Sequence, residues 1–249
     1  SRVDFGCHVS GSMDGIIESG VPDAPKAHHV LEIKTHGKKS FDDLEKNGVE
    51  KSKPQHFVQM QVYMMGAGLD RALYYAICKD DDRIYTERVK LDKAVATKSV
   101  ERGHRLVKAD RMPPPISTDP TWFECRFCAA HEFCHKTKLT KEVNCRTCAN
   151  STAKEDGTWS CEEYSYTLDF ENQKQGCEAH VLHPDLVPWH HKVEGKAIIW
   201  ITPEGDIKNG ASDWETFTSR EIVANAPACA SRDKFMDEAR EIFGAKVVG

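Results

Sequence analysis

Apolar and polar positions along the first 112 residues predict strands interleaved with helices. Arg2–Val9 and Met13–Ile17 read as strands around a turn at Ser10-Gly11-Ser12, and His29–Thr35 is another short apolar run with β-branched residues. Pro54 opens a helix to about Gly66, because Phe57, Val58, Met60, Gln61, Met64 and Met65 make a mostly apolar surface and proline suits a first turn. Arg71–Cys78 reads as a buried strand and Arg83–Leu91 as an alternating edge strand, with Asp80-Asp81-Asp82 turning between them. Leu91–Asp110 predicts a charged surface helix.

Pro113-Pro114-Pro115 is a stiff, extended linker. A polar stretch follows to about His183 with few long apolar runs, so metal rather than a core is expected to hold it. From Lys192 apolar patterning returns: Ala197–Thr202 as a strand, Pro203–Asp206 as a turn and Arg232–Phe243 as a helix, with Trp200, Trp214 and Phe217 as core. The expected organisation is an α/β unit over 1–112, a cysteine-rich region over 113–191 and a small α+β region over 192–249.

Composition narrows the class. The chain has 249 residues, 39% hydrophobic and 29% charged, with 34 Lys and Arg against 39 Asp and Glu, a formal charge of −5. Such a chain folds around a real core and does not coat nucleic acid as a passive polycation, although a local groove or metal ions can still hold DNA. No segment approaches the ~18 consecutive apolar residues of a membrane span. The first thirty residues lack the charged-then-apolar pattern of a secretion signal, so a cytoplasmic location and no membrane contact are expected.

The chemistry gathers in two places. Asp14 ends a strand, and eighteen residues later comes Leu31-Glu32-Ile33-Lys34-Thr35. Alternation puts Glu32 and Lys34 on one strand face while Leu31 and Ile33 pack the other. If Asp14's strand pairs with this one, two carboxylates meet an ammonium. With the Ile33 carbonyl they suit Mg²⁺ or Mn²⁺, and such an ion activates water for phosphodiester hydrolysis. His36 shares the Glu32 face, and His8 lies near Asp14; both are expected to be solvated or hydrogen-bonded. Lys38, Lys39, Lys51 and Lys53 flank the segment, as a phosphate track or as part of an ordinary charged loop with Asp42, Asp43, Glu45 and Glu50.

Ten cysteines supply the second signal. Cys125, Cys128 and Cys134, with His135 or His131, have the spacing of a metal knuckle; zinc is expected, with a 4Fe–4S cluster as the alternative. Trp122, Phe123, Phe127 and Phe133 are expected to pack around it. Cys145, Cys148, Cys161 and Cys177 make a second set whose four thiolates complete a tetrahedral zinc site. Both are read as structural. Arg126, Lys136, Lys138, Lys141 and Arg146 offer a modest basic surface beside them, and Trp189-His190-His191 is read as surface.

Asp14, then Glu32-Ile33-Lys34, then Gln59-Met60-Gln61-Val62-Tyr63 resemble, in that order, the PD-(D/E)XK nuclease superfamily, in particular the RecB-like and lambda-type (YqaJ-like) phage exonucleases. Gln59 and Tyr63, four apart, share one side of a helix. The resemblance covers about 2–91. It implies a restriction-endonuclease-like mixed sheet flanked by helices, a Mg²⁺- or Mn²⁺-dependent deoxyribonuclease, and an exonuclease acting in recombination or DNA processing in a bacterium or phage-infected host. Asp14 and Glu32 would hold the metal, Lys34 would position water and phosphate, and Gln59 and Tyr63 would support the site and the DNA. A single-strand annealing or binding protein and further copies of the chain are implied as partners. Only about thirteen residues precede Asp14 and they read as strand, so the family's opening helix is expected to be missing. The rival reading is a non-catalytic nucleic-acid-binding or adaptor protein, with zinc modules on a degenerate nuclease core.

Overall fold

The strand expected around His29 is the axis of a four-stranded sheet. The computed structural model describes residues 1–109, 111–211 and 213–248, and the chain divides into two units, 1–108 and 109–249. The architecture is mixed α/β.

In the first unit, β1 (Arg2–Asp4) and β2 (Ser10–Ser12) form an antiparallel ribbon. The residues expected to turn, Ser10–Ser12, are therefore a strand. The chain reverses earlier, where Gly6, Cys7 and His8 all take positive φ and the Asp4 carboxylate accepts the Gly6 N–H at 2.8 Å. That Asx turn sets the reversal. The main sheet has the order β3 (Gly15–Ile17), β4 (His29–His36), β5 (Arg71–Cys78) and β6 (Ile84–Lys90). β4 and β5 are parallel, and the other two pairings are antiparallel.

The crossover between the parallel strands contains two helices, α1 (Lys38–Ser52) and α2 (Pro54–Ala67). The charged loop considered for 38–53 is thus a helix. Its apolar residues Phe41, Leu44 and Val49 are fully buried, while Gly48 (φ 73°) kinks it. α2 begins at Pro54 as expected and is closed by left-handed Gly68. The core joins Phe41, Leu44, Met60 and Met64 from the helices to Val30, Ala72, Tyr74 and Ala76 from the sheet. α3 (Lys93–Lys108) packs on α2.

Gly66 lets α2 approach β1 closely. A Cβ there would lie 2.7 Å from Val3 Cβ and 2.8 Å from Phe5 Cζ. Alanine gains ~1 kcal/mol of helix propensity over glycine, but overpacking costs ~1–3 kcal/mol. Gly66→Ala is therefore expected to destabilise the first unit in calorimetry. A raised unfolding temperature would show that β1 yields freely.

The second unit opens with two four-residue helices, α4 (Phe123–Arg126) and α5 (His131–Cys134). Two antiparallel meanders follow: β7 (Ser151–Ala153), β8 (Trp159–Cys161) and β9 (Tyr166–Leu168), then β10 (His190–Glu194), β11 (Ala197–Thr202) and β12 (Gly205–Asn209). β10 runs straight through 191/192, and Val181, Leu182 and Val187 share a buried cluster with Trp200, Ile207 and Phe217. The end of the cysteine-rich stretch and the segment after it thus build one core.

Trp214, expected in that core, is 42% exposed, whereas Trp200 and Phe217 are fully buried. His190 is exposed, but His191 lies 5.7 Å from the Trp200 ring. α6 (Ser219–Ala230) and α7 (Lys234–Phe243) complete the unit. α6 begins at a capping box between Thr218 and Glu221. Among the described residues, no helix is long and apolar enough to cross a membrane.

Candidate active site and cysteine clusters

β4 places the acidic group. Val30, Glu32, Lys34 and His36 pair in register with Ala72, Tyr74, Ala76 and Cys78 of β5, on the face that meets α2. The opposite face differs from expectation. Ile33 is 44% exposed and Leu31 only half-buried, so that face is not a packed layer in this unit. Asp14 immediately precedes β3, whose Gly15 pairs with Leu31, and its Oδ2 accepts the Ile33 N–H at 2.7 Å. Asp14 is thus held at the backbone of the strand that carries Glu32, close enough for its charge to act on that carboxyl.

Glu32 is 1% exposed, and its Oε1 accepts a hydrogen bond from Lys34 Nζ. Its Oε2 is buried without a partner. Burial raises the Glu32 pKa above its ordinary value and the Asp14 charge adds to this, against the opposing pull of Lys34. A desolvated carboxylate oxygen with no N–H donor is what a cation satisfies. Two carboxylates and a backbone carbonyl are hard oxygen donors of the kind Mg²⁺ and Mn²⁺ take. Asp14, Glu32 and the Ile33 carbonyl therefore fit such an ion by the chemistry of the donor set.

Gln59 and Tyr63 occupy one side of α2, and Gln59 Nε2 donates to Tyr63 Oη at 3.1 Å. The Tyr63 ring lies against β2, where a Cβ on Gly11 would be 2.6 Å from its Cε1. These two residues join α2 to the ribbon that leads into Asp14.

A hydrogen-bonded trio was not foreseen as a unit. Tyr74 Oη lies 2.9 Å from His36 Nε2 and 2.8 Å from His56 Nδ1. Tyr74 is fully buried and in register with Glu32. His36, expected to be solvated or hydrogen-bonded, is buried and bonded. Burial lowers its pKa, with the charges of Lys53, Lys79 and Lys34 adding. The same causes act on His56, where burial comes first and then Lys34, His36 and Lys53, taking it from 6.5 to about 4. Burial, followed by the charge of Glu32, raises the Tyr74 hydroxyl.

A histidine depressed on folding contributes stability that is complete above its unfolded value and lost as pH falls through the folded one. The first unit should therefore weaken between pH 6.5 and about 4. His56→Gln should flatten that part of a plot of urea midpoint against pH. An unchanged profile would remove His56 as a cause.

All ten cysteines are free thiols. In the first set, the Cys128 N–H bonds the Cys125 carbonyl at 3.0 Å and the His131 N–H bonds the Cys128 carbonyl at 3.1 Å. Cys125 is buried and Cys128 exposed. His131 and His135 lie 4.8 Å apart between ring centroids. His131 Nε2 contacts the Pro120 carbonyl at 2.9 Å, while His135 Nε2 is buried without a partner. The aromatic shell expected here does not close, since Phe123 and Phe127 are 72% and 75% exposed and meet each other edge-on. In the second set, burial pushes the Cys145 thiol up to about 11, with Cys148, Cys177 and Cys161 adding to the effect. Cys7, outside both sets, is buried in the β1–β2 turn.

No protein-family model, curated protein or solved structure matches the chain. The functional reading rests on the acidic group of β3–β4 and on the motif resemblance.

Proposed function

We propose that the first unit is the core of a divalent-metal-dependent DNA nuclease of the PD-(D/E)XK class, and that the chain acts as an exonuclease in bacterial or phage DNA recombination or processing. The observation that carries this reading is a buried Glu32 that pairs with Lys34 and keeps one oxygen without a partner, on the strand whose Ile33 N–H bonds Asp14. Mg²⁺ or Mn²⁺ held by Asp14, Glu32 and the Ile33 carbonyl would supply charge stabilisation at the phosphate and a more acidic water.

The protein's own groups do the rest. The Lys34 side chain is 26% exposed. It is fixed by Glu32 at one end of its reach and open to solvent at the other, so it can hold a phosphate oxygen or orient the attacking water. Gln59 and Tyr63 hold α2 against the ribbon before Asp14 and so keep that carboxylate beside Ile33.

The test is digestion by the full chain of linear and covalently closed circular duplex DNA, with Mg²⁺, with Mn²⁺ and in excess EDTA. The expected result is metal-dependent loss of linear DNA with circles spared. Undiminished cleavage in EDTA would overturn the reading. Stoichiometric binding without turnover in either metal would replace it with the adaptor.

A further inference from the structure

The second unit contains a stretch that its hydrophobic energy does not explain. None of residues 150–178 belongs to either buried apolar cluster. Among its described side chains, the buried apolar ones are Cys161 and Leu168. It nevertheless forms the β7–β8–β9 meander from strands of three residues each. Ribbons that short, with so little apolar burial, are not stable alone in water and need a staple.

Four cysteines stand where a staple would act. Cys145 opens a 3₁₀ turn rigidified by Asn144, whose Oδ1 accepts the Arg146 N–H at 3.0 Å while its own N–H bonds Thr147 Oγ1 at 3.2 Å. Cys148 follows, and its Sγ accepts the Asn150 N–H at 3.4 Å. Cys161 is the last residue of β8 and pairs with Ser151, whose N–H bonds the Cys148 carbonyl at 3.3 Å. The Cys145 N–H donates to the Gln175 carbonyl at 2.8 Å, two residues before Cys177. The Cys177 carbonyl accepts the His180 N–H at 3.2 Å, and His180 Nε2 returns to the Asn144 carbonyl at 2.9 Å. Backbone bonds thus tie the segments of all four cysteines to one tight turn.

We propose that Cys145, Cys148, Cys161 and Cys177 bind a structural zinc ion that fastens the β7–β9 meander to the turn at 145–148. Four soft thiolates complete a tetrahedral site with no open position, which suits zinc in a structural role. As they stand, no three His, Cys, Asp or Glu side chains among the described residues form a group that could hold an ion. Binding therefore requires the thiols to rotate about Cα–Cβ, a fast side-chain motion. Each thiol gives its proton to solvent as its bond to zinc forms, and no oxidant is needed. The site lies in the second unit and stands whether or not the first unit cuts DNA.

The test is metal analysis of the full chain purified without chelator. Cys145→Ser and Cys177→Ser should each remove one zinc per chain, while Cys78→Ser and Cys229→Ser, which alter thiols outside both sets, should leave the content unchanged. Refilling the metal-stripped chain with Co²⁺ should give an intense thiolate-to-cobalt band that weakens in Cys177→Ser. Because a variant can fail through misfolding, alkylation of the unsubstituted chain provides a second measurement. Exposed Cys177 should react at least tenfold faster after EDTA than before. Zinc content unmoved by Cys145→Ser and Cys177→Ser, iron with sulfide in place of zinc at these four residues, or equal alkylation with and without EDTA would each overturn the proposal.

Discussion

Glu32→Gln should abolish DNA cleavage while leaving the melting temperature of the first unit unchanged or raised. The activity loss follows from removing the charge proposed to hold the metal, an effect expected to be on the order of 10³-fold or more. The stability effect has the opposite sign because Glu32 is costly to the apo fold: it is buried, one oxygen has no partner, and burial raises its pKa. A carboxyl whose pKa is raised on folding contributes stability only below its unfolded value, and that contribution is lost as pH rises through the folded value. Glutamine cannot ionise and escapes that loss.

Lys34→Met should lose activity too, but it leaves the buried carboxylate without the Lys34 charge that pairs with it, so the unit should melt earlier. Breaking one side of a buried pair costs ~3 kcal/mol. The double variant should recover stability and not activity. Calorimetry of the three variants beside a nuclease assay separates the possibilities. If Glu32→Gln melts several degrees lower, Glu32 is a structural residue and the nuclease reading loses its central observation.

How far the sequence reveals this site depends on the range of the interaction that builds it. The alternation of Glu32, Lys34 and His36 is local, and so is Pro54 at the start of α2; both are readable from residue type and spacing. The turn at Gly6–His8 is also local, but its signal is the Asp4 carboxylate reaching Gly6, and a serine-glycine-serine string further on is the louder cue. α1 is obscured because its buried residues Phe41, Leu44 and Val49 are few and Gly48 interrupts their period.

The His36–Tyr74–His56 trio has no local signal. Tyr74 is opposite Glu32 only because β4 and β5 run parallel, and His56 arrives from the crossover helix. The open side of Ile33 is likewise set by what does or does not pack there, which a single strand's pattern does not encode. The order of Asp14, Glu32, Lys34, Gln59 and Tyr63 is legible as a motif; the orphaned Glu32 oxygen is visible only in three dimensions.

The largest stability effect in the second unit is expected at Arg240. It sits on α7, within a segment whose sequence predicts only a helix, yet its side chain is 4% exposed. The guanidinium donates to Glu221 Oε1 at 2.6 Å, to the Asp213 carbonyl at 2.9 Å, to the Trp214 carbonyl at 3.3 Å and to the Thr216 carbonyl. Its Cζ lies 4.1 Å from the Phe217 ring centroid. Glu221, 3% exposed, answers with bonds from the Thr218 N–H at 2.8 Å and the Val247 N–H at 3.0 Å. Burial pushes the Glu221 carboxyl up, but these N–H groups and Arg240 outweigh it and hold the carboxyl below its usual range. That stability is present above the ordinary carboxylate pKa and is lost as acid protonates Glu221.

Arg240→Met keeps the bulk but leaves a buried carboxylate and three carbonyls without their donor, at a cost of about 3–5 kcal/mol. Arg240→Lys should recover only part of it, because one ammonium cannot span the fork. All five tryptophans lie beyond residue 120, so tryptophan fluorescence excited beyond the tyrosine absorption reports the second unit alone. A fluorescence-monitored urea transition that fails to move in Arg240→Met would mean that the polar cluster is neutral to folding and that Trp200 and its apolar neighbours hold the unit unaided.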